Sequence, residues 1–292
     1  MPGAMVTSSN TVTVTVAGKT SGGSLRHIGI LWLENQDLAE VNAHSTELPA
    51  LAKQYATTSN YHAVDHPSWP NYSACIAGSF FGISSDPEPP SSKQLNDTTI
   101  VSLISKGGLT WKEYAQSYPG SCFLGGPIQP YVGHHVPFLY FTEITKVASQ
   151  CAQVVNFDAF ATDVSGGSLP ELFFITPDND HNYTNQDWAT GDAFVKGVVQ
   201  ALESLPEWDQ TGLFIVFDEP VKGTVDQPLT DPVYMTFVSP LAKMGATSTK
   251  YYDHYSLLAT LEAAIGQGNL GRNDATATVL SDLFASGAVP RF

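Results

Sequence analysis

Three short apolar runs, each stopping at a cluster of acids and amides, constrain this chain more than any other feature. Residues 28–33 read Ile-Gly-Ile-Leu-Trp-Leu and end at Glu34-Asn35. Residues 172–175 read Leu-Phe-Phe-Ile and, past Thr176-Pro177, reach Asp178-Asn179-Asp180-His181. Residues 213–217 read Leu-Phe-Ile-Val-Phe and end at Asp218-Glu219. Runs of this length without polar alternation read as strands covered on both faces, the situation of a parallel sheet between helix layers.

Helical patterns fall between and after these runs. They cover residues 47–56, residues 68–77 with Pro70 near the helix start, and residues 255–265. Residues 187–205 form a longer amphipathic pattern with Phe194, Val195, Val198, Val199 and Leu202 on one face. Residues 233–238 predict a further strand, residues 11–16 alternate Thr and Val as a half-buried strand does, and 79–96 read as a surface loop. Strands alternating with helices predict an α/β protein, a three-layer α/β/α sandwich around a mostly parallel sheet. No repeat or linker divides the chain, so residues 1–24 are read as an N-terminal extension and 25–292 as one domain.

Charge excludes one class of partner. Thirteen basic residues stand against 28 acidic ones, a formal charge of −15, and that field repels nucleic acid. No apolar stretch is long enough for an integral membrane segment. Charged residues make up only 14%, so small polar residues must cover the surface, as in many secreted proteins. The N-terminus lacks the basic and apolar regions of a signal peptide, and Met5 after Met-Pro-Gly-Ala has the look of a vector junction. A secreted mature form is therefore expected, with a cytoplasmic location as the alternative. No pattern specifies an oligomer. Of three cysteines, Cys122 and Cys151 flank a loop-rich stretch that a disulfide can close, and Cys75 reads as a small buried residue. Glycosylation sequons begin at Asn71, Asn96 and Asn182; only Asn96 lies outside the motifs that follow.

Ligands of open α/β sheets bind beyond the carboxyl ends of the strands, so the three polar clusters are expected to converge on one edge. A single Asp/Asn pair is as often a cap or a turn. Three such clusters, all rich in metal-capable oxygens, favour a site. A fourth element, His66-Pro67-Ser68-Trp69-Pro70-Asn71-Tyr72, puts a serine at the mouth of a helix. Unpaired backbone N–H groups and the positive end of the dipole there favour an attacking alkoxide and a bound phosphate. From local sequence alone, Ser68 reads equally well as a simple cap.

These segments resemble the phosphoesterase family of acid phosphatases and bacterial phospholipases C, within the alkaline phosphatase superfamily. The matching pieces are LEN, HPSWPNY, GHHVPFLYF, TPDNDHN, FDE, and YDHYSLLATLEAAIG followed by LGR, in family order over residues 28–272. SWPN is also similar to the Thr-x-Pro-Asn segment of nucleotide pyrophosphatases. The resemblance implies an alkaline phosphatase-like sandwich that hydrolyses small phosphomonoesters through a phosphoseryl intermediate on Ser68. It implies that Asn71 and His134 bind substrate, and that Glu34, Asn35, Asp218 and Glu219 hold one divalent metal ion. An all-oxygen donor set favours Mg, Ca, Mn or Fe over Zn. It further implies that His66, His135 and His181 bind phosphoryl oxygens or protonate the leaving group. As cations they would set a mildly acidic optimum, about pH 5 to 6.5. His254 can equally cap its own helix.

Two departures stand out. Asp218-Glu219 continues into Pro220-Val221 without the downstream Asn-His-Val of bacterial relatives, which looks closer to the fungal acid phosphatases. Asn179-Asp180-His181-Asn182 lacks the second Asp of the family pattern. A phosphodiesterase or phospholipase C is the alternative reading, as is a phosphatase-like protein repurposed for binding or for another reaction.

Overall fold

In the computed structural model, which describes residues 24–221 and 229–292, the apolar runs form the centre of the sheet. The strand expected over 11–16 and nearly all of the N-terminal extension lie outside the described residues. Ten strands are formed among the described residues: β1 (His27–Leu33), β2 (Ala56–Thr58), β3 (Tyr61–His62), β4 (Trp111–Ala115), β5 (Val154–Asn156), β6 (Leu172–Thr176), β7 (Thr211–Phe217), β8 (Met235–Val238), β9 (Thr247–Ser248) and β10 (Tyr252–Asp253). Eight make one sheet in the order β5-β4-β6-β1-β7-β8-β2-β9, and β10 pairs with β3 apart from it. Within the large sheet only β8 runs against the others. Every residue of β1, β6 and β7 is buried, as continuous apolar runs require.

Among the described residues the α-helices are α1 (Leu38–His44), α2 (Glu47–Gln54), α3 (Ser68–Ala77), α4 (Ile100–Lys106), α5 (Thr142–Thr145), α6 (Ala148–Cys151), α7 (Asp158–Gly166), α8 (Trp188–Glu203) and α9 (His254–Ile265), with short 3-10 turns between them. Successive strand residues point to opposite faces, and β6 shows which helix lies where. Phe173 meets Phe160 of α7, at a centroid separation of 6.4 Å. Its neighbour Phe174 meets Phe138, in the turn that precedes α5, at 4.9 Å. Trp32 shares the Phe174 face, because Ile30 pairs with Phe174, and it packs on Tyr72 of α3 and His254 of α9. The two helix groups therefore cover opposite faces, and the architecture is the expected α/β/α sandwich. No described helix is long and apolar enough to cross a membrane.

Helix α3 spans the predicted residues 68–77, and its C-cap Gly78 takes the left-handed conformation at φ 66°. Three expectations shift. The helix read over 47–56 stops at Gln54, because Ala56 opens strand β2, which is paired on both sides, with β8 through Phe237 and with β9. The strand read over 233–238 begins at Met235 and is the antiparallel one. Strand β4 carries Lys112 and Glu113 and was not visible as an apolar run. Glu113 is nonetheless fully buried, accepting from Thr176 Oγ1 at 3.2 Å, and burial raises its carboxyl well above the usual range.

Cys122 and Cys151 form a disulfide with Cα atoms 5.6 Å apart, joining the loop before residue 135 to α6. Cys75 is free and buried. Of the sequon asparagines, Asn71 and Asn182 are buried and Asn96 is exposed.

One buried carboxylate ties α8 to α2. The N-cap of α2, Thr46, makes no side-chain cap of its own. Asp192 of α8 supplies it, accepting from Thr46 N at 2.7 Å, Glu47 N at 3.2 Å, Ser45 Oγ at 2.6 Å and Tyr183 Oη at 2.9 Å. Those bonds hold its pKa below the ordinary value despite burial. The Asp192→Ala protein is expected to lose about 2–3 kcal/mol at neutral pH, from a lost cap and orphaned hydroxyls. A depressed folded pKa adds stability above the unfolded value of about 3.9 that is lost as pH falls, so the deficit should shrink in acid. Urea denaturation at pH 7 and pH 3 checks it; an equal deficit at both would assign the effect to packing.

Candidate functional site

The three polar clusters do meet at the carboxyl edge of the sheet. Glu34 and Asn35 follow β1, and Asp218 and Glu219 follow β7, its parallel neighbour. Asp218 N donates to Leu33 O at 3.0 Å, and Asn35 N donates to Asp218 Oδ1 at 3.0 Å, so the two strand ends are locked together. Asn35 sits in the left-handed region at φ 57°, which asparagine tolerates better than most residues. Its Nδ2 donates to Thr184 Oγ1 at 3.2 Å.

Ser68, the first residue of α3, faces this edge. Its Oγ lies 3.1 Å from Glu34 Oε2 and 3.2 Å from Glu219 Oε1, so one hydroxyl proton has two carboxylate acceptors. Tyr72, one turn along the same helix, donates to Glu34 Oε1. His135 Nε2 approaches that oxygen at 3.3 Å, and His66 Nδ1 pairs with Glu219 Oε2.

The carboxylates crowd one another. Burial, and then Asp218, raise Glu34 well above the usual carboxylate range. Burial, and then Glu219, do the same to Asp218. Burial raises Glu219 as well, against the pull of His66. Asp218 is fully buried and its Oδ2 has no hydrogen-bond partner. Among the described residues no three His, Cys, Asp or Glu side chains already stand at metal-ligating geometry.

A cavity of about 330 Å³ opens onto Ser68, walled in part by Asn35, Glu219, His134, His135, Asn179 and Thr184. Asp86 and Glu88, in the surface loop expected over 79–96, also line it. Glu88 Oε1 accepts from His134 N at 2.7 Å and stands 3.1 Å from its Nδ1. His134 Nε2 is 3.8 Å from Asp86 Oδ2.

Other expected site residues stand elsewhere. Asn71 is fully buried and committed to backbone: its Oδ1 accepts from Val64 N at 2.8 Å and its Nδ2 donates to Asp65 O at 2.7 Å. It shapes the turn before Ser68 and does not reach the cavity wall. His181, whose Nδ1 is 2.9 Å from Asp178 Oδ1, is likewise not among the cavity-lining residues. Burial, with His134 beside it, holds His135 well below the usual histidine range, so it is a neutral ring rather than the expected cation. His254 is not the cap of its helix. Asp253 and Ser256 make a capping box there, while His254 is fully buried between Tyr61 Oη (3.1 Å) and the Asp218 carbonyl (2.6 Å). Burial pushes its pKa down to about 4, and the neutral ring fixes the backbone that presents Asp218.

The chain is 31% identical to a probable acid phosphatase of Kluyveromyces lactis, over 91% of this chain and 64% of the relative. It is 34% identical to a phosphate-repressible acid phosphatase of Penicillium chrysogenum, over 86% of this chain and 61% of the relative. It thus spans less than two thirds of the length of either. Among solved structures, an alkaline phosphatase superfamily protein from Vibrio parahaemolyticus superposes with a TM-score of 0.58 at 13% identity, covering 89% of this chain and 72% of that one, and shares the fold. The model of the phosphoesterase family matches residues 32–266, from the end of β1 through α9 and so across every cluster described above; the chain belongs to that family.

Proposed function

We propose that this chain hydrolyses phosphomonoesters, with Ser68 taking the phosphoryl group. The observation that carries the reading is Ser68 Oγ at a helix N-terminus, between two carboxylates, in the lining of the cavity. As Oγ attacks phosphorus, its proton passes to Glu34 or Glu219, and the bond from phosphorus to the ester oxygen breaks. The departing oxygen takes a proton through His134, which lines the cavity. His135, a neutral ring, offers a hydrogen bond to a phosphoryl oxygen. Water then attacks the phosphoserine, releasing phosphate and restoring the hydroxyl. The similarity to proteins named acid phosphatase supports this choice of ester.

Glu34, Asn35, Asp218 and Glu219, with Ser68 Oγ, would hold a divalent cation. Three buried carboxylates with raised pKa values, two of them (Glu34 and Asp218) pushed up by a neighbouring carboxylate as well as by burial and one with an orphaned oxygen, fit a hard ion such as Mg, Ca, Mn or Fe better than Zn. Bound there, the ion lowers the pKa of the serine hydroxyl and offsets phosphoryl charge. We also infer passage through an oxidising compartment, supported by the Cys122–Cys151 disulfide.

Matched aryl mono- and diesters, assayed across that metal series, test the reading. kcat/KM for the monoester should exceed that for the diester by about 10² or more, since only a dianion uses the full charge of the site. Equal or inverted values would make the chain a diesterase.

A further inference from the structure

Helix α3 has an unusual beginning for one that presents a nucleophile. Its N-cap is Pro67, which has no acceptor side chain, and its first turn contains no acid. A ten-residue helix begun this way leaves amide donors unsatisfied at the point where Ser68 meets substrate. One donor is not left open. Trp69 N–H donates to Asp86 Oδ1 at 2.8 Å, across a separation of 17 residues. The other carboxylate oxygen of Asp86 faces His134 Nε2 at 3.8 Å, on the wall of the cavity. Asp86 therefore touches the helix that carries the nucleophile and the histidine opposite it.

We propose that Asp86 is the positioning residue for Ser68: it caps the nucleophile helix from outside, and its charge keeps the positive end of that helix from retaining phosphate. This rests on the phosphomonoesterase reading above. The capping bond fixes the peptide that follows Ser68, and with it the direction in which Oγ points. Glu88, two residues along the same loop, holds His134 by two contacts, so the loop sets both walls of the cavity at once. The negative charge acts separately from the bond. A helix N-terminus attracts anions, and a carboxylate already seated there weakens its hold on a phosphate dianion, which is the product that must leave.

Asp86→Asn keeps an acceptor for Trp69 N–H and removes the charge, whereas Asp86→Ala removes both, so steady-state kinetics separates the two roles. With an aryl phosphate, Asp86→Ala should lower kcat about tenfold or more, as misdirected nucleophiles do. Asp86→Asn should recover kcat to within about threefold of wild type while inorganic phosphate inhibits about fivefold more tightly, the size of a charge effect at a helix end. A purely structural cap would change melting temperature and leave phosphate inhibition alone. Asp86→Ala turning over within about twofold of wild type, or Asp86→Asn inhibited by phosphate no more tightly than wild type, would overturn the proposal. A wild-type protein that hydrolyses no aryl phosphate overturns the phosphomonoesterase reading and this inference with it; an active wild type with unmoved variants overturns this inference alone.

Discussion

Replacing Ser68 by alanine is expected to lower kcat for an aryl phosphate by at least about 10³-fold while shifting the melting temperature by no more than about 3 °C. The two halves of that expectation have separate causes. Ser68 Oγ is the only hydroxyl of α3 placed between Glu34 and Glu219, and no other described side chain duplicates its position at the helix mouth. Without it, water must attack phosphorus directly, and charge stabilisation with general acid assistance is all that remains. Stability should barely change, because the serine donates one proton to two acceptors that keep Tyr72, His135 and His66 as partners. The variant also distinguishes covalent from direct hydrolysis. Acid-quenched wild type should carry phosphate on Ser68, and Ser68→Ala should carry none. Residual turnover above about one hundredth of wild type would assign Ser68 to acid–base assistance rather than attack.

What sequence made visible here follows physical type. Strands β1, β6 and β7 could be read because a strand covered on both faces has no polar alternation, and the acids after them fall at one edge because the strands are parallel. Helix α3 could be read because proline near its start and Gly78 at its end are backbone signals. Strand β4 could not. Its Lys112 pairs with Asp163 and its Glu113 sits on Thr176, so partners far along the chain make a polar segment fit a buried strand. Strand β2 is only three residues long, and the antiparallel direction of β8 depends on how the chain returns.

The site divides the same way. The oxygen-rich clusters could be located because three of them follow buried parallel strands, where one alone reads as a cap or a turn, and the family resemblance added the serine. Asp86 and Glu88 had no local signal, because each acts on a partner brought near by the fold. Asp86 caps a helix 17 residues earlier, and Glu88 holds a histidine 46 residues later. The neutrality of His135 was invisible for a related reason: burial sets it, and a residue flanked by His134 and Val136 carries no mark of its own burial. Asn71 shows the converse. The family resemblance implies a substrate ligand there, yet an asparagine just inside a helix can also fold the preceding turn, and its hydrogen bonds are spent on that second use.

The metal proposal has its sharpest expression at Asp218, where one substitution should move stability in opposite directions with and without the ion. Burial and Glu219 raise the Asp218 carboxyl, so the folded state prefers it protonated. A carboxyl whose folded pKa exceeds its unfolded value of about 3.9 adds stability in acid, and that contribution is lost as pH rises toward the folded pKa. Metal-free wild type should therefore weaken from about pH 4 upward, whereas Asp218→Asn, which carries a neutral side chain at every pH, should show a flatter profile and melt higher near neutrality. Adding a divalent ion reverses the order. Ligation by the ionised carboxylate displaces its proton, and saturation at about 100 times Kd adds about 2.7 kcal/mol to wild type, a rise of roughly 5 °C for a chain this size. Asp218→Asn has exchanged a charged donor for a weaker neutral one and should gain about 1 °C or less. Thermal melts in chelator and then in millimolar Mg, Ca, Mn or Fe, at pH 5 and pH 7.5, check both limbs without any measurement of activity. If Asp218→Asn is less stable than wild type in chelator at pH 7.5, the carboxylate is stabilising as an anion and the crowding argument fails. If the two proteins gain equally from every ion, the metal does not sit on Asp218.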